Sequence, residues 1–404
     1  MSPADFALFG APAAFDQPLP VGQRYFPSWQ RYEAAFRDIF ERQYYTEYGP
    51  LNRQLEQQLQ QFLGVKHAIC VTNETIGLMM VADAMGLTGK VILQGSASIA
   101  SAQSLRWAGL EPVFCDVDPD THHIGLDQID ALIDKDVSAI MGVHLWGGAC
   151  DPVALQKLAD ARGVQLYFDA AHAFGCAVDG VRIGNFGRAE VFSFHQDNIL
   201  NAGEGGCICT NDDELAARLR TMRSSAGAGT PTEVTKTVNG RMSEAQAAIA
   251  LMNLDDFQAN QKNNRAIFEL YETHLTAIPG IQLIQPTGVG FSNYQHVVCM
   301  VDEDEFQIPR DLLIELLRAE NVDAKQCLSQ VLLRIHPYIH DFPHYQNHLP
   351  NTDRFCATCV QLPIGALVYS QNVEHICNII LSAHRASANI LTYYKSKNTK
   401  ENST

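Results

Sequence analysis

Leu166-Tyr167-Phe168-Asp169-Ala170-Ala171-His172-Ala173 is an apolar run that ends in a carboxylate and then turns. It reads as a strand over 165–169. In α/β proteins ligands sit outside the carboxyl ends of strands, so Asp169 stands where a ligand would meet it. A buried carboxylate needs a cationic partner. Capping a following helix is the other reading, and taken alone the residues favour that cap.

Short apolar runs alternate with amphipathic ones on both sides of this stretch. Strands are expected at 67–72, 91–93, 112–116, 139–144, 191–195 and 206–210. Helices are expected at 51–63, where Gly64 ends the turn, and at 75–85, 97–108, 126–133 and 153–162. Continuous apolar strands between helices predict an α/β fold with a parallel or mixed sheet covered on both faces. Residues 1–20 read as an irregular N-terminal arm, 21–255 as the large domain, 256–391 as a smaller α+β domain, and 392–404 as a polar, disordered tail.

The chain has 404 residues, 46% of them hydrophobic, and 29 Lys plus Arg against 45 Asp plus Glu, a net charge of −16. That balance argues against nucleic acid and anionic membranes as partners. No run is long enough for a membrane span, and Met1-Ser2-Pro3-Ala4-Asp5 does not read as a secretory signal. Eleven cysteines at irregular spacing do not form a disulfide framework; reduced, buried thiols in a cytoplasmic protein are the simplest reading. Cys356-Ala357-Thr358-Cys359, His122-His123 and the His336, His340, His344 series lack the company a metal site needs, and none is assigned.

Three further segments carry chemistry. Val71-Thr72-Asn73-Glu74-Thr75 joins a strand to a helix, where exposed N–H groups favour a phosphate or a side chain simply caps. Phe192-Ser193-Phe194-His195-Gln196-Asp197-Asn198 leads into Gly203-Glu204-Gly205-Gly206. Val238-Asn239-Gly240-Arg241-Met242-Ser243 is a polar turn before a helix.

With Tyr45-Thr46-Glu47-Tyr48-Gly49-Pro50, Pro112-Val113-Phe114-Cys115-Asp116-Val117-Asp118 and Val143-His144-Leu145-Trp146-Gly147, these segments resemble the DegT family of nucleotide-sugar aminotransferases from about residue 20 to 390. The resemblance implies a fold-type-I pyridoxal 5′-phosphate (PLP) transferase, with a mixed, mostly parallel sheet between helices and a smaller α+β C-terminal domain. It implies that Asp169 pairs with the pyridine nitrogen and that Asn73, Thr75 and Ser193 lie at the phosphate. His172 would lie near the phenolic oxygen. Asn239 would reach the phosphate of a neighbouring subunit in a homodimer with shared sites. Thr46 and the loop around His336 would face the substrate.

The chain departs from the family where the cofactor would sit. The family strand runs Ser-Phe-His-x-x-Lys, and here Asn198 takes the place of the lysine. An amide is not a nucleophile and cannot shuttle the proton, so lysine-dependent transamination is not expected. Ser98 stands where an aromatic residue stacks on the ring, Asp197 replaces a small or hydroxyl residue, and Glu74 occupies the phosphate turn. Were Glu74 to point inward, like charges at about 4 Å would cost roughly 4 kcal/mol. Among the ten lysines, Lys236 is the best placed substitute, although a solvated loop charge is the preferred reading.

Three functions follow. The first is an unconventional PLP or pyridoxamine 5′-phosphate (PMP) site, the cofactor held noncovalently, acting on an amino or keto sugar, for example by elimination. The second is a catalytically silent homologue that partners an active paralogous aminotransferase. The third is a cofactor-free enzyme reusing the old pocket, with His195, Asp197 or Glu74 as acid or base around Asn198.

Overall fold

The structure is a computed structural model that describes residues 3–46, 48–224, 232–234, 236–326, 338–341 and 349–401. Thirteen strands are described. β1 (His67–Val71), β2 (Lys90–Gln94), β3 (Glu111–Cys115), β4 (Val137–Val143) and β5 (Gln165–Asp169) come first, then a small hairpin, β6 (Ala177–Val178) and β7 (Val181–Arg182). β8 (Glu190–Ser193) and β9 (Gly206–Thr210) complete a seven-stranded sheet of order β1-β9-β8-β5-β4-β2-β3. β9 pairs antiparallel with β1 and β8, and the other pairings are parallel. The sheet is therefore mixed and mostly parallel, one of the two arrangements the apolar runs allowed and the one the resemblance implied.

Alternation along each strand divides the core. Ile69, Leu93, Met141, Tyr167 and Ile208 face one layer, which holds α3 (Glu74–Ala84), α4 (Ile99–Trp107) and α7 (Asp213–Arg223). Leu166, Phe168, Ile92 and Ile140 face the other, with α5 (Leu126–Leu132) and α6 (Pro152–Arg162). Asp169 shares the parity of Tyr167 and so points toward α3 and α4. On the opposite face Cys70, Phe192, Cys207 and Cys209 pack with α2 (Pro50–Leu63). Pro50 starts α2, and Gly64, at φ 70°, ends it in the left-handed conformation that glycine adopts without strain.

α8 (Glu244–Leu275) opens on a reciprocal capping box between Ser243 and Gln246. Its early residues Ala247, Ala250 and Phe257 lie in the core beneath α2. Its later residues Ile267, Phe268 and Tyr271 lie in a second core. The expected division at 255/256 thus falls inside one continuous helix. The second core covers an antiparallel sheet of order β10-β11-β13-β12, formed by Ile281–Leu283, Val297–Val301, Cys359–Leu362 and Lys325–Gln326.

Both termini differ from expectation. The arm is not wholly irregular: it forms short 3₁₀ turns at Pro3–Asp5 and Ala7–Phe9, buries Phe6, and ties the Ala7 and Ala14 N–H groups to the Glu320 carboxylate. The tail expected to be disordered from 392 is helical, within Ser387–Glu401. Ile390 is buried, the Tyr393 ring packs on Phe9, and the Tyr394 hydroxyl donates to Glu315. Three apolar or aromatic anchors outweigh the polar composition of that stretch. Among the described residues, no helix is long and apolar enough to cross a membrane.

Candidate active site

A cavity of about 370 Å³ opens beyond the carboxyl ends of β4, β5 and β8, in the size range of small-molecule sites. It brings together Glu74, Ser98, Asp169, His172, Ser193, His195, Asp197 and Asn198 from the candidate residues. His144, Trp146, His296 and Lys325 join them.

Asp169 is 2% exposed. Its Oδ2 accepts the Ser101 hydroxyl at 2.6 Å, and its Oδ1 accepts the Ala171 N–H at 3.1 Å. The second bond closes a local turn, and no helix follows to be capped. Ser101 sits on α4 beneath Ser98, whose Oγ caps that helix by accepting the Ser101 N–H.

Glu74 is the first residue of α3, whose N-cap is Asn73, with Oδ1 accepting the Ile76 N–H at 2.9 Å. The turn packs closely on β9: a Cβ at Gly206 would lie 2.9 Å from the Glu74 nitrogen. The Glu74 side chain lines the same cavity as Asp169 and Ser193. Burial, and then the Asp169 charge, push its pKa well above the ordinary value. Glu74 Oε1 is shielded from solvent and has no hydrogen-bond partner.

Asn198 is buried and held at both ends of its amide. Nδ2 donates to the Ser193 carbonyl at 2.8 Å, and Oδ1 accepts from Gln295 Nε2 at 2.8 Å. Gln295 also accepts the Ile199 N–H and reaches His296 at 3.2 Å. His172 and His296 meet edge to face at 4.6 Å. Burial lowers the pKa of both imidazoles, most strongly for His296, which also feels His172 and Lys325. His195 is more open and lies 3.8 Å from Glu204, while Asp197 lies 3.7 Å from Arg24 Nε.

Other candidates fall outside the lining. Asn73 and Thr75 belong to the cap and first turn of α3, and Thr46 is exposed. Asn239 is exposed and accepts from Arg241 Nε at 3.1 Å. His336 lies outside the described residues. Lys236 is a surface charge, with Nζ 2.6 Å from Asp83. The lysine that does line the cavity is Lys325, on a strand of two residues, too short to leave a periodic pattern. Ser101 had a signal, since Ser98 and Ser101 are spaced to meet on one helix face. Among the described residues, no group of three or more His, Cys, Asp or Glu is arranged to hold a metal ion.

Residues 30–381 match the sequence profile of the DegT/DnrJ/EryC1/StrS aminotransferase family. The dTDP-4-amino-4,6-dideoxy-D-glucose transaminase of Shigella dysenteriae is 30% identical over 370 residues, spanning 90% of this chain and 99% of that protein. The GDP-perosamine synthase of Vibrio cholerae is 28% identical over 374 residues, spanning 90% and 98%. Among solved structures, DesI, crystallised in the presence of its TDP-sugar product, is 38% identical with a TM-score of 0.89, covering 97% of this chain and 99% of DesI. Helicobacter pylori PseC, an aminotransferase involved in the biosynthesis of pseudoaminic acid, shares the fold at 22% identity and a TM-score of 0.84, covering 92% and 100%. With most of its length matched to that profile, the chain belongs to the DegT/DnrJ/EryC1/StrS aminotransferase family.

Proposed function

We propose that this chain has left lysine-dependent transamination and binds a small molecule of nucleotide-sugar chemistry directly in the old cofactor cavity. Its relatives are PLP-dependent aminotransferases, so the first question is whether the residues present suit PLP. Asp169 and Ser193 would hold opposite ends of that cofactor, the ring nitrogen and the phosphate. The Glu74 carboxyl lines the cavity with both of them. An acid there conflicts with a phosphate in charge and in volume. At the lysine position, the Asn198 amide is committed to Ser193 and Gln295. The residues present do not suit PLP, which favours the cofactor-free reading over a noncovalent PLP or PMP site.

The observation that carries this reading is the Asn198 amide, which is not a nucleophile and is hydrogen-bonded to Ser193 and Gln295. Glu74, Asp169 and the two uncharged histidines His172 and His296 would supply acid–base groups for a carbohydrate-type ligand. The test is addition of PLP to the pure protein, borohydride reduction and intact mass measurement. The expected result is no added PLP mass. A stoichiometric adduct, mapped by peptide sequencing to Lys325 or another lysine, would overturn the reading.

A partner subunit has separate support. Helix α1 (Trp29–Arg42) exposes Trp29 and Phe40, at 69% and 70%, and stacks Trp29 on Tyr32 and Tyr32 on Phe36 at the surface. Exposed aromatic surface of this kind marks interfaces. A second copy of this chain is the proposed occupant, with Asn239 turned toward it; a paralogous aminotransferase is the alternative. Light scattering of the purified chain distinguishes dimer from monomer. The ten described cysteines are buried, and buried thiols suit a reducing compartment such as the cytoplasm.

A further inference from the structure

We propose that Glu74 sets the ligand class of this cavity: it closes the space a phosphate monoester would need and, with Asp169, presents carboxyl oxygens to a cationic amine. The proposal rests on the reading of the cavity as a cofactor-free ligand site and names what that ligand must carry.

Four observations support it. Glu74 heads an eleven-residue helix, where free N–H groups would otherwise attract an anion. The chain's own acid stands at that end, and Asn73 already satisfies the Ile76 N–H. Secondly, Glu74 lines the same cavity as Ser193 and Asp169, so its carboxyl takes up room that a phosphate there would need. Thirdly, Glu74 Oε1 is shielded and lacks a partner. Carboxylate oxygens of Glu74 and Asp169 are acceptors. An ammonium brings three donors and a positive charge, which complements them. Finally, the basic groups of the lining are uncharged or already paired, His144 with Glu190 at 3.0 Å. His172 and His296 are held uncharged by burial, and Lys325 Nζ lies 3.5 Å from Asp323. His144 and Asp197 also line the cavity, and His195 stands at its more open side beside Glu204.

PMP and pyridoxamine provide the test. They share a ring and an amine and differ by the phosphate, and neither can condense with a lysine. A lysine adduct with PLP would therefore sink the preceding reading without deciding this one. Calorimetric titration of the wild-type protein should show pyridoxamine binding about tenfold more tightly than PMP. Glu74→Ala should reverse that preference, and Glu74→Gln, which keeps the bulk and removes the charge, should weaken pyridoxamine while leaving PMP weak. Thermal melting of each variant confirms that it is folded. The proposal fails if wild-type protein binds PMP at least as tightly as pyridoxamine, if it binds neither, or if Glu74→Ala leaves the ratio unchanged.

Discussion

Glu190 and Glu74 are acidic side chains beside the same sheet, one fully buried and one half-buried at a cavity, and the chain houses them in opposite ways. Glu190, on β8, is fully buried and fully met. His144 Nε2 lies 3.0 Å away, and the Gly184 and Phe186 N–H groups both donate to the other oxygen. His144 Nδ1 in turn accepts the Cys150 N–H at 3.2 Å, which leaves Nε2–H to donate to Glu190. Glu74 faces a second carboxylate and keeps one oxygen without a partner. A carboxylate surrounded by donors is part of the framework. One left short of donors in a cavity is a place for a ligand to supply them.

The contrast can be broken most severely at Glu190. Glu190→Ala strands three donors in the core and should cost about 3–5 kcal/mol in denaturant unfolding. A loss below about 1 kcal/mol would mean that the network is not structural. Glu74→Gln should act in the other direction. The folded-state pKa of Glu74 lies above its ordinary 4.5. The native state therefore keeps a proton that the unfolded chain releases, and stability falls as pH rises above about 4.5. Removing the acid should raise the melting temperature at pH 8 and matter little near pH 4.5. The groups lining the same cavity, Asp169, His144, His172, His195, Asp197, His296 and Lys325, stay in place in both proteins, so the difference between the two pH profiles isolates Glu74. A gap that widens toward low pH would contradict this. The smallest effect belongs to Lys236, an exposed partner of Asp83. Lys236→Ala should shift stability by no more than about 0.5 kcal/mol and leave ligand binding unchanged in calorimetry.

These regions were not equally legible in sequence. The sheet could be read because its strands are continuous apolar runs: 165–169 and 206–210 match β5 and β9 to the residue, and the others agree within two residues. Strand order could not be read, since the antiparallel insertion of β9 between β1 and β8 depends on long-range pairing. Asp169, His172, Ser193 and Asn198 were legible because strand ends and the turn after β8 fix where their backbones lie. The direction of Glu74 was not, because a helix's first residue can point to solvent or inward with the same backbone. Lys325 comes from the smaller sheet, His296 and Gln295 come from the loop that leads into β11, and only long-range packing brings Lys325 and His296 to the cavity and Gln295 to Asn198. The C-terminal helix was missed because its polar composition outweighed the three anchors Ile390, Tyr393 and Tyr394.

The central claim is that Asn198 and Glu74 together have ended covalent PLP use. It is tested most directly by visible absorbance and borohydride trapping with PLP in Asn198→Lys, Glu74→Ala and the double variant, a mutant cycle on two residues of one cavity. The account predicts a stoichiometric trapped adduct in the double variant and little in either single variant. Full trapping in Asn198→Lys alone would show that Glu74 does not obstruct the cofactor and would contradict the account.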